Sequence, residues 1–214
     1  ALYNYTEGYG SYLIPAVMMI IIFQTLLMVI GMVTGEEYSS DGIRTYAPFG
    51  HTWAAAIRIV AGKAFVYCGL YAIFSFFLLG LLPYFFSIPN IGNGLYIVLL
   101  MIPYLIATSF LGLAASRYFT DSEAPLLMIA FFSVGLIFLS GVSYPMELMP
   151  WYWKAAHYIL PAAPATLAFV QLNSMGASMA DIRPEYITLW IQVLVYFILS
   201  IWVYQKKLQK SQLR

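Results

Sequence analysis

Five long apolar runs dominate the sequence and restrict what it can fold into. They are 12–33, 64–87, 95–115, 125–142 and 187–204, and none of them contains Asp, Glu, Lys, Arg or His. Each is close to the ~20 residues that an α-helix needs to cross about 30 Å of hydrocarbon. Charged residues make up only 9% of the chain, whereas about a quarter is usual in soluble domains. The sequence therefore predicts an all-α integral membrane protein, with five spans in a single transmembrane domain over 1–214.

Basic residues are concentrated in alternate connections between these runs. One side holds eight of them: Arg44, Arg58, Lys63, Arg117, Lys206, Lys207, Lys210 and Arg214. The other side holds two, Lys154 and Arg183. Because Lys and Arg are retained in the cytoplasm, we expect a protein of the cell (inner) membrane whose chain starts on the outer side and whose C-terminus is cytoplasmic. The first eleven residues have no signal-peptide core, so this orientation leads us to expect a further span upstream in a longer parent chain.

The connection 35–63 is too long for a simple turn between two spans. Thr52 is placed to cap a short helix over Trp53 to Val60, which precedes the second span. Its apolar stripe of Trp53, Ile57 and Val60 would lie on the membrane surface or dock a partner. We expect the acidic residues of this connection, Glu36, Glu37 and Asp41, to be exposed charges. The alternative is that the connection is only a solvated loop.

The segment after the fourth run is interrupted by proline and rich in aromatic residues. Pro145, Pro150 and Pro161 prevent one continuous helix, because each lacks an N–H and clashes with the preceding turn. The segment 143–164 is too apolar for a solvated loop, and we predict a broken hairpin that re-enters the membrane from outside. Such backbone is tolerated only against protein or a water-filled cavity. The alternative is an interfacial aromatic loop that only anchors the fold, as Trp151 and Trp153 would do.

Several classes of chemistry have no residues to support them. The spans hold no ionisable side chain for a proton relay, no nucleophile and base share a side at membrane depth, and no phosphate-binding loop occurs. We interpret His51 and His157 as polar interfacial residues and Cys68 as a small apolar one, and we expect no metal or cofactor on this chain. The uncharged polar residues of the spans would either line a weakly polar route or bond between helices. The candidates for such a route are Gln24, Thr25, Ser133 and Ser140.

The stretch SGVSYPMELMPWYWKAAHYILP follows the pattern SG, two residues, (F/Y)P, then MP, then LP. In this pattern and its spacing the sequence resembles the permease subunits of type 2 ATP-binding-cassette exporters. Asp41 with Gly42, and Gly62 with Lys63, are similar to family positions in and after the first cytoplasmic connection. The order and spacing of these matches extend over nearly the whole chain.

This resemblance implies a permease that works with a second copy or a homologous half in the lipid bilayer. ATP would bind to a separate ATP-binding-cassette ATPase subunit, and no nucleic acid is involved. The implied ATPase-coupling residues are Glu36, Glu37, Asp41, Arg44, Arg58 and Lys63. The implied external gate consists of Tyr144, Pro145, Met146, Met149 and Pro150. The expected function is ATP-driven export of an amphipathic or hydrophobic substrate, and the alternatives are a non-transporting membrane scaffold and a membrane enzyme.

Overall fold

The structure is a computed structural model that describes residues 9–39, 50, 52–86, 91–116, 118, 125, 135–144 and 148–211. Its helices are α1 (Tyr9–Ser39), α2 (Trp53–Phe76), α3 (Leu82–Phe85), α4 (Gly94–Ala115), α5 (Trp151–Ile159), α6 (Ala162–Met175) and α7 (Arg183–Ser211). A π-helical turn, Phe77–Leu81, joins α2 to α3, and a further helical turn covers 135–139. No strand occurs in these ranges, so the all-α prediction is confirmed for them.

Four helical segments are long and apolar enough to cross a membrane: Leu13–Glu37, Trp53–Phe85, Gly94–Ala115 and Arg183–Gln209. They overlap the predicted spans 12–33, 64–87, 95–115 and 187–204. Helices α5 and α6 are bent by 87° at a short break, and would add a fifth span if they cross as one unit. Of the predicted span 125–142, only Pro125 and 135–142 belong to the described residues.

Helix α2 corrects the predicted separation between a short helix and the second span. The cap is confirmed, since Thr52 Oγ1 accepts a hydrogen bond from the Ala55 N–H at 3.3 Å. The helix does not end at Val60, however, and continues unbroken to Phe76. Between Val60 and the apolar run only Gly62 is a weak helix former, and one glycine costs about 1 kcal/mol, which does not end a helix.

The predicted stripe on the start of α2 is divided between two environments. Trp53 and Ile57 are exposed, whereas Val60 is fully buried in the core. The whole segment Trp53–Phe85 has 33 residues and is therefore about 50 Å long at 1.5 Å per residue. This exceeds the ~30 Å of hydrocarbon, so the segment either is strongly tilted or extends beyond the hydrocarbon.

Helix α4 is the centre of the bundle, and α1, α2, α6 and α7 all pack against it. In its spanning window 67% of the residues are buried, against 22% for α2. The Tyr104 hydroxyl of α4 is fully buried and donates a hydrogen bond to the Met19 carbonyl of α1 at 2.6 Å. This bond is possible because α1 and α4 approach each other closely.

A glycine on α4 permits the close approach of α1 and α4. A Cβ placed on Gly112 would lie 3.0 Å from Ile30 Cδ1. The branched Ile30 side chain of α1 therefore packs directly on the backbone of α4 at Gly112. Gly112 and Ser116 are small residues one turn apart, a spacing that lets helices approach closely.

Ile91 and Gly92, just before α4, lie against the last turn of α6. The Ile91 N–H donates to the Asn173 carbonyl at 3.1 Å. A Cβ placed on Gly92 would lie only 2.6 Å from the Leu172 carbonyl oxygen, and backbone cannot move away as a flexible side chain can. This contact fixes the end of α6 at the same end of the bundle as the start of α4.

We predict that Gly92→Ala lowers the stability of the folded bundle by about 1–3 kcal/mol, the usual cost of overpacking. Thermal unfolding of the purified protein in detergent measures the effect. Gly94→Ala is the matched control, because nothing lies within 4 Å of a Cβ at that position. Equal melting temperatures for the two variants would contradict the contact with α6.

Candidate functional site

A polar network lies where α1, α4 and α7 end and α2 begins, which we call the basic end. The Lys63 ammonium of α2 forms an ion pair with the Glu37 carboxylate of α1. It also donates a hydrogen bond to the Tyr204 hydroxyl of α7 at 3.2 Å. The side chains of Lys63 and Glu37 are 13% and 23% exposed. The ion pair is therefore largely removed from solvent, and it links three helices.

A second lysine extends this network to α4. The Lys207 ammonium donates to the Ser116 carbonyl at 3.1 Å and to Ser116 Oγ at 2.9 Å. Ser116 ends α4, where the last carbonyls have no partner within the helix, so a cation there is favourable. The Tyr204 ring lies between the lysines, with its centroid 5.2 Å from each Nζ. We call Glu37, Lys63, Ser116, Tyr204 and Lys207 the four-helix network.

The network revises the expected arrangement of the coupling residues. Glu36 and Arg58 are exposed, as expected of residues that contact a partner. The expectation that Glu37 is an exposed charge is wrong, because α1 continues past Val33 and turns Glu37 toward Lys63. Asp41 and Arg44 lie outside the described residues.

Sequence reasoning missed three members of the network, Ser116, Tyr204 and Lys207. The signal for Lys207 was its place in the basic tail, but Lys206 and Lys210 share that property. Only the phase of α7 shows that Lys207 faces the bundle while Lys206 is exposed.

Toward the opposite end of the bundle, which we call the hairpin end, the chain forms a hairpin of α5 and α6 with a break between them. Leu160 is extended, with φ −96° and ψ 121°, and Pro161 follows it as the residue before α6. Pro150 precedes the first residue of α5. The predicted breaks at Pro150 and Pro161 are thus confirmed, and Pro145 lies outside the described residues.

Side chains of α7 satisfy the backbone at this break. Gln192 Nε2 donates to the Tyr158 carbonyl at 2.8 Å, and the Tyr196 hydroxyl donates to the Ile159 carbonyl. These two carbonyls end α5 and have no partner within it. Gln192 and Tyr196 are nine and thirteen residues from Arg183, about 14 and 20 Å along the helix axis. The break therefore lies near the middle of α7, well below the hairpin end.

A buried histidine connects α5 to the preceding helical turn. His157 is 1% exposed, and its Nδ1–H donates to the Leu139 carbonyl at 2.8 Å. The carbonyl can only accept, so Nδ1 carries the proton. The prediction of an interfacial histidine is wrong for His157, which has a structural contact instead, and His51 lies outside the described residues.

A cleft of about 340 Å³ opens beside the start of α5. Its lining residues are Phe138, Tyr144, Met149, Pro150 and Trp153. Three of these lining residues, Tyr144, Met149 and Pro150, are predicted gate residues. The other two predicted gate residues, Pro145 and Met146, lie outside the described residues. Sequence reasoning missed Phe138. It also assigned Trp153 only to anchoring, whereas the structure places it in the cleft.

Three of the four candidate route residues, Gln24, Thr25 and Ser140, belong to the described part of the chain. Thr25 donates to the Ile21 carbonyl at 2.7 Å, and Ser140 donates to the Ile137 carbonyl at 2.6 Å. Both hydroxyls therefore bond within their own helical turn. Gln24 is partly buried on α1, and Ser133 lies outside the described residues.

Nothing in the described part of the chain has the composition of a metal centre. No group of three or more His, Cys, Asp or Glu side chains is close enough there to hold an ion. What the two ends offer is a polar connection between four helices at one and an apolar cleft at the other.

We predict that removing the hydroxyl of Tyr196 destabilises the hairpin. Tyr196→Phe leaves the Ile159 carbonyl without its donor, and an unsatisfied buried acceptor costs about 1–3 kcal/mol. Thermal unfolding in detergent measures the loss. Thr188→Val is the control on the same helix, because Thr188 donates only to the Pro184 carbonyl one turn away. If both variants unfold at the wild-type temperature, α7 does not hold the break.

Comparison with known proteins agrees with these features. A search of curated proteins gave no match. A family model described as ABC-2 family transporter protein matches residues 1–202, which is nearly the whole chain and confirms the resemblance found in the motifs. Together with its long apolar helices, the match shows that this is a multi-pass membrane protein belonging to the permease family of ABC-2 type transporters.

Proposed function

We propose that the protein is the membrane-spanning permease subunit of an ATP-driven exporter. It would move an amphipathic or hydrophobic substrate through an interface between two permease copies, or between homologous halves. A separate cytoplasmic ATPase subunit would hydrolyse ATP. The observation that carries the proposal is the family match over residues 1–202. Nothing in the described residues favours the alternatives, a scaffold or a membrane enzyme.

The basic end is the proposed cytoplasmic side. The eight-to-two distribution of Lys and Arg supports this orientation, with the C-terminus of α7 inside the cell and the hairpin outside it. The exposed charges of this end, Glu36 and Arg58, would then meet the ATPase. Asp41 and Arg44 belong to the same connection and would contribute to the same surface.

The four-helix network has a different role in this proposal. An ATPase that pushes the start of α2 moves Lys63, and with it the Glu37 end of α1 and the Tyr204 face of α7. Breaking a buried pair from one side leaves an uncompensated charge, which favours joint motion of these helix ends over separation. The network would thus convert a push on one connection into a shift of several helices.

The hairpin of α5 and α6 is the proposed external gate. Its re-entry from outside is supported by the depth of the break, which lies 14–20 Å along α7 from Arg183 by helical rise. Hydrogen bonds from Gln192 and Tyr196 satisfy the backbone there, as a non-aqueous surrounding requires. The cleft beside α5 would receive or release the apolar part of the substrate, since its lining side chains carry no charge.

The coupling role predicts two separable defects. When the tagged chain is captured from its own host, an ATP-binding-cassette ATPase should co-purify. Arg58→Gln should weaken that association, because Arg58 is exposed. Glu37→Gln should retain the ATPase but lower substrate-stimulated ATP hydrolysis about fivefold or more, the usual scale of coupling between sites.

Two results would count against these assignments. Capture without any ATPase would contradict the exporter proposal. It would also leave the cytoplasmic assignment of the basic end without the partner that this assignment predicts. A Glu37→Gln complex that hydrolyses ATP with wild-type stimulation would show that the four-helix network does not transmit the push.

The gate role predicts a change in transport without a change in insertion. Met149 is 7% exposed and lines the cleft, so Met149→Ala enlarges the cleft and should slow export or cause a leak. Trp151 is 80% exposed and lies outside the cleft, so Trp151→Ala should lower expression or stability without a leak. Proteoliposome flux distinguishes the two, and wild-type flux without leak in Met149→Ala would exclude the cleft from the gate.

A further inference from the structure

One face of α7 carries a continuous apolar stripe that the bundle leaves uncovered. Leu194, Ile198 and Trp202 follow one another at intervals of four residues, which places them on one side of the helix. Their exposed fractions are 63%, 66% and 39%. A stripe of this kind is typical of a surface that contacts lipid chains.

The same stripe continues into basic residues at the end of α7. Lys206 is the next residue at this interval and is exposed, and its Nζ lies 3.7 Å from the centroid of the Trp202 ring. Lys210 is the next residue at this interval within α7, and no acidic residue occurs from Val203 onward. Lys207 faces the other way, toward Ser116.

The dimensions of the stripe match half of a bilayer. Leu194 and Lys206 are twelve residues apart, about 18 Å along the helix, while half of the hydrocarbon thickness is about 15 Å. An acyl chain that lies along Leu194, Ile198 and Trp202 therefore brings its headgroup to the level of Lys206. The other end of α7 has no such excess of positive charge, since Asp181 and Glu185 lie on either side of Arg183.

We propose that this face of α7 is a binding site for an anionic phospholipid. The acyl chain packs on Leu194, Ile198 and Trp202, and the headgroup phosphate binds at Lys206, with Lys210 at the next position of the same helix register. Both parts of the site are complementary to one ligand, because a soluble phosphate would not use the apolar stripe and a neutral lipid would not use the cations. The site is separate from the four-helix network and does not depend on export.

Native mass spectrometry of the detergent-solubilised protein tests the site. The probes are phosphatidylglycerol and phosphatidylcholine with identical acyl chains, titrated onto delipidated protein. Phosphatidylglycerol should bind more tightly to the wild type. Removing one cation near a membrane surface lowers the binding free energy by about 1 kcal/mol, which makes the dissociation constant about fivefold larger. Lys206→Gln should show this fivefold increase of the dissociation constant. The double variant Lys206→Gln with Lys210→Gln should show the square of that factor, about 25-fold.

Matched variants separate the site from general charge and from folding. Arg183→Gln removes one positive charge from the other end of the same helix and should leave binding unchanged. Lys206→Arg keeps the charge and should bind phosphatidylglycerol as the wild type does, which shows that the fold tolerates a change there. Excess inorganic phosphate should not displace the lipid.

Four results would overturn the proposal. They are unchanged phosphatidylglycerol binding in the double variant, an equal loss with Arg183→Gln, displacement by inorganic phosphate, and a shift from dimer to monomer in the double variant with no change in lipid binding. The last result would assign the stripe to a second copy of the chain instead.

Discussion

Backbone hydrogen bonding is the constraint on which the rest of the structure depends. Inside hydrocarbon every N–H and C=O needs a partner from the protein, and long helices supply these partners within one segment. The chain departs from this solution at Leu160 and Pro161, where α5 ends and α6 begins. Helix α7 compensates with two side chains, Gln192 and Tyr196. Helix α7 therefore stabilises the hairpin at the point where its own helices leave the backbone without partners.

The same helix also takes part at the other end of the bundle. Tyr204 and Lys207 of α7 complete the network that joins α1, α2 and α4. Between the two ends α7 packs on α4. A single helix is thus bonded to the proposed gate and to the proposed coupling region. Any rotation of α7 affects the carbonyls at the break and the lysines of the network together.

Much of the architecture could be predicted from the sequence, because it follows from apolar length. Four of the predicted spans correspond to helices, and the prolines at 150 and 161 mark the breaks, since a ring without an N–H acts locally. The side-chain pairing could not be predicted in the same way. Glu37 and Lys63 are 26 residues apart, and Lys63 and Tyr204 are 141 apart, so their contact depends on helix phase and packing. The burial of His157 is also a tertiary effect, since its partner Leu139 lies in a different element.

The uninterrupted course of α2 has a mechanical consequence. A short separate helix joined to a span by a flexible turn would absorb a push by bending at the turn. Helix α2 instead has no break from Trp53 to Phe76, so a push on its capped start would move these residues as one rigid unit. At about 36 Å for the 24 residues of α2, a small tilt at Thr52 would become a displacement of several ångströms at Phe76. The π-helical turn Phe77–Leu81 follows at that end, and helices bend most readily at such a turn.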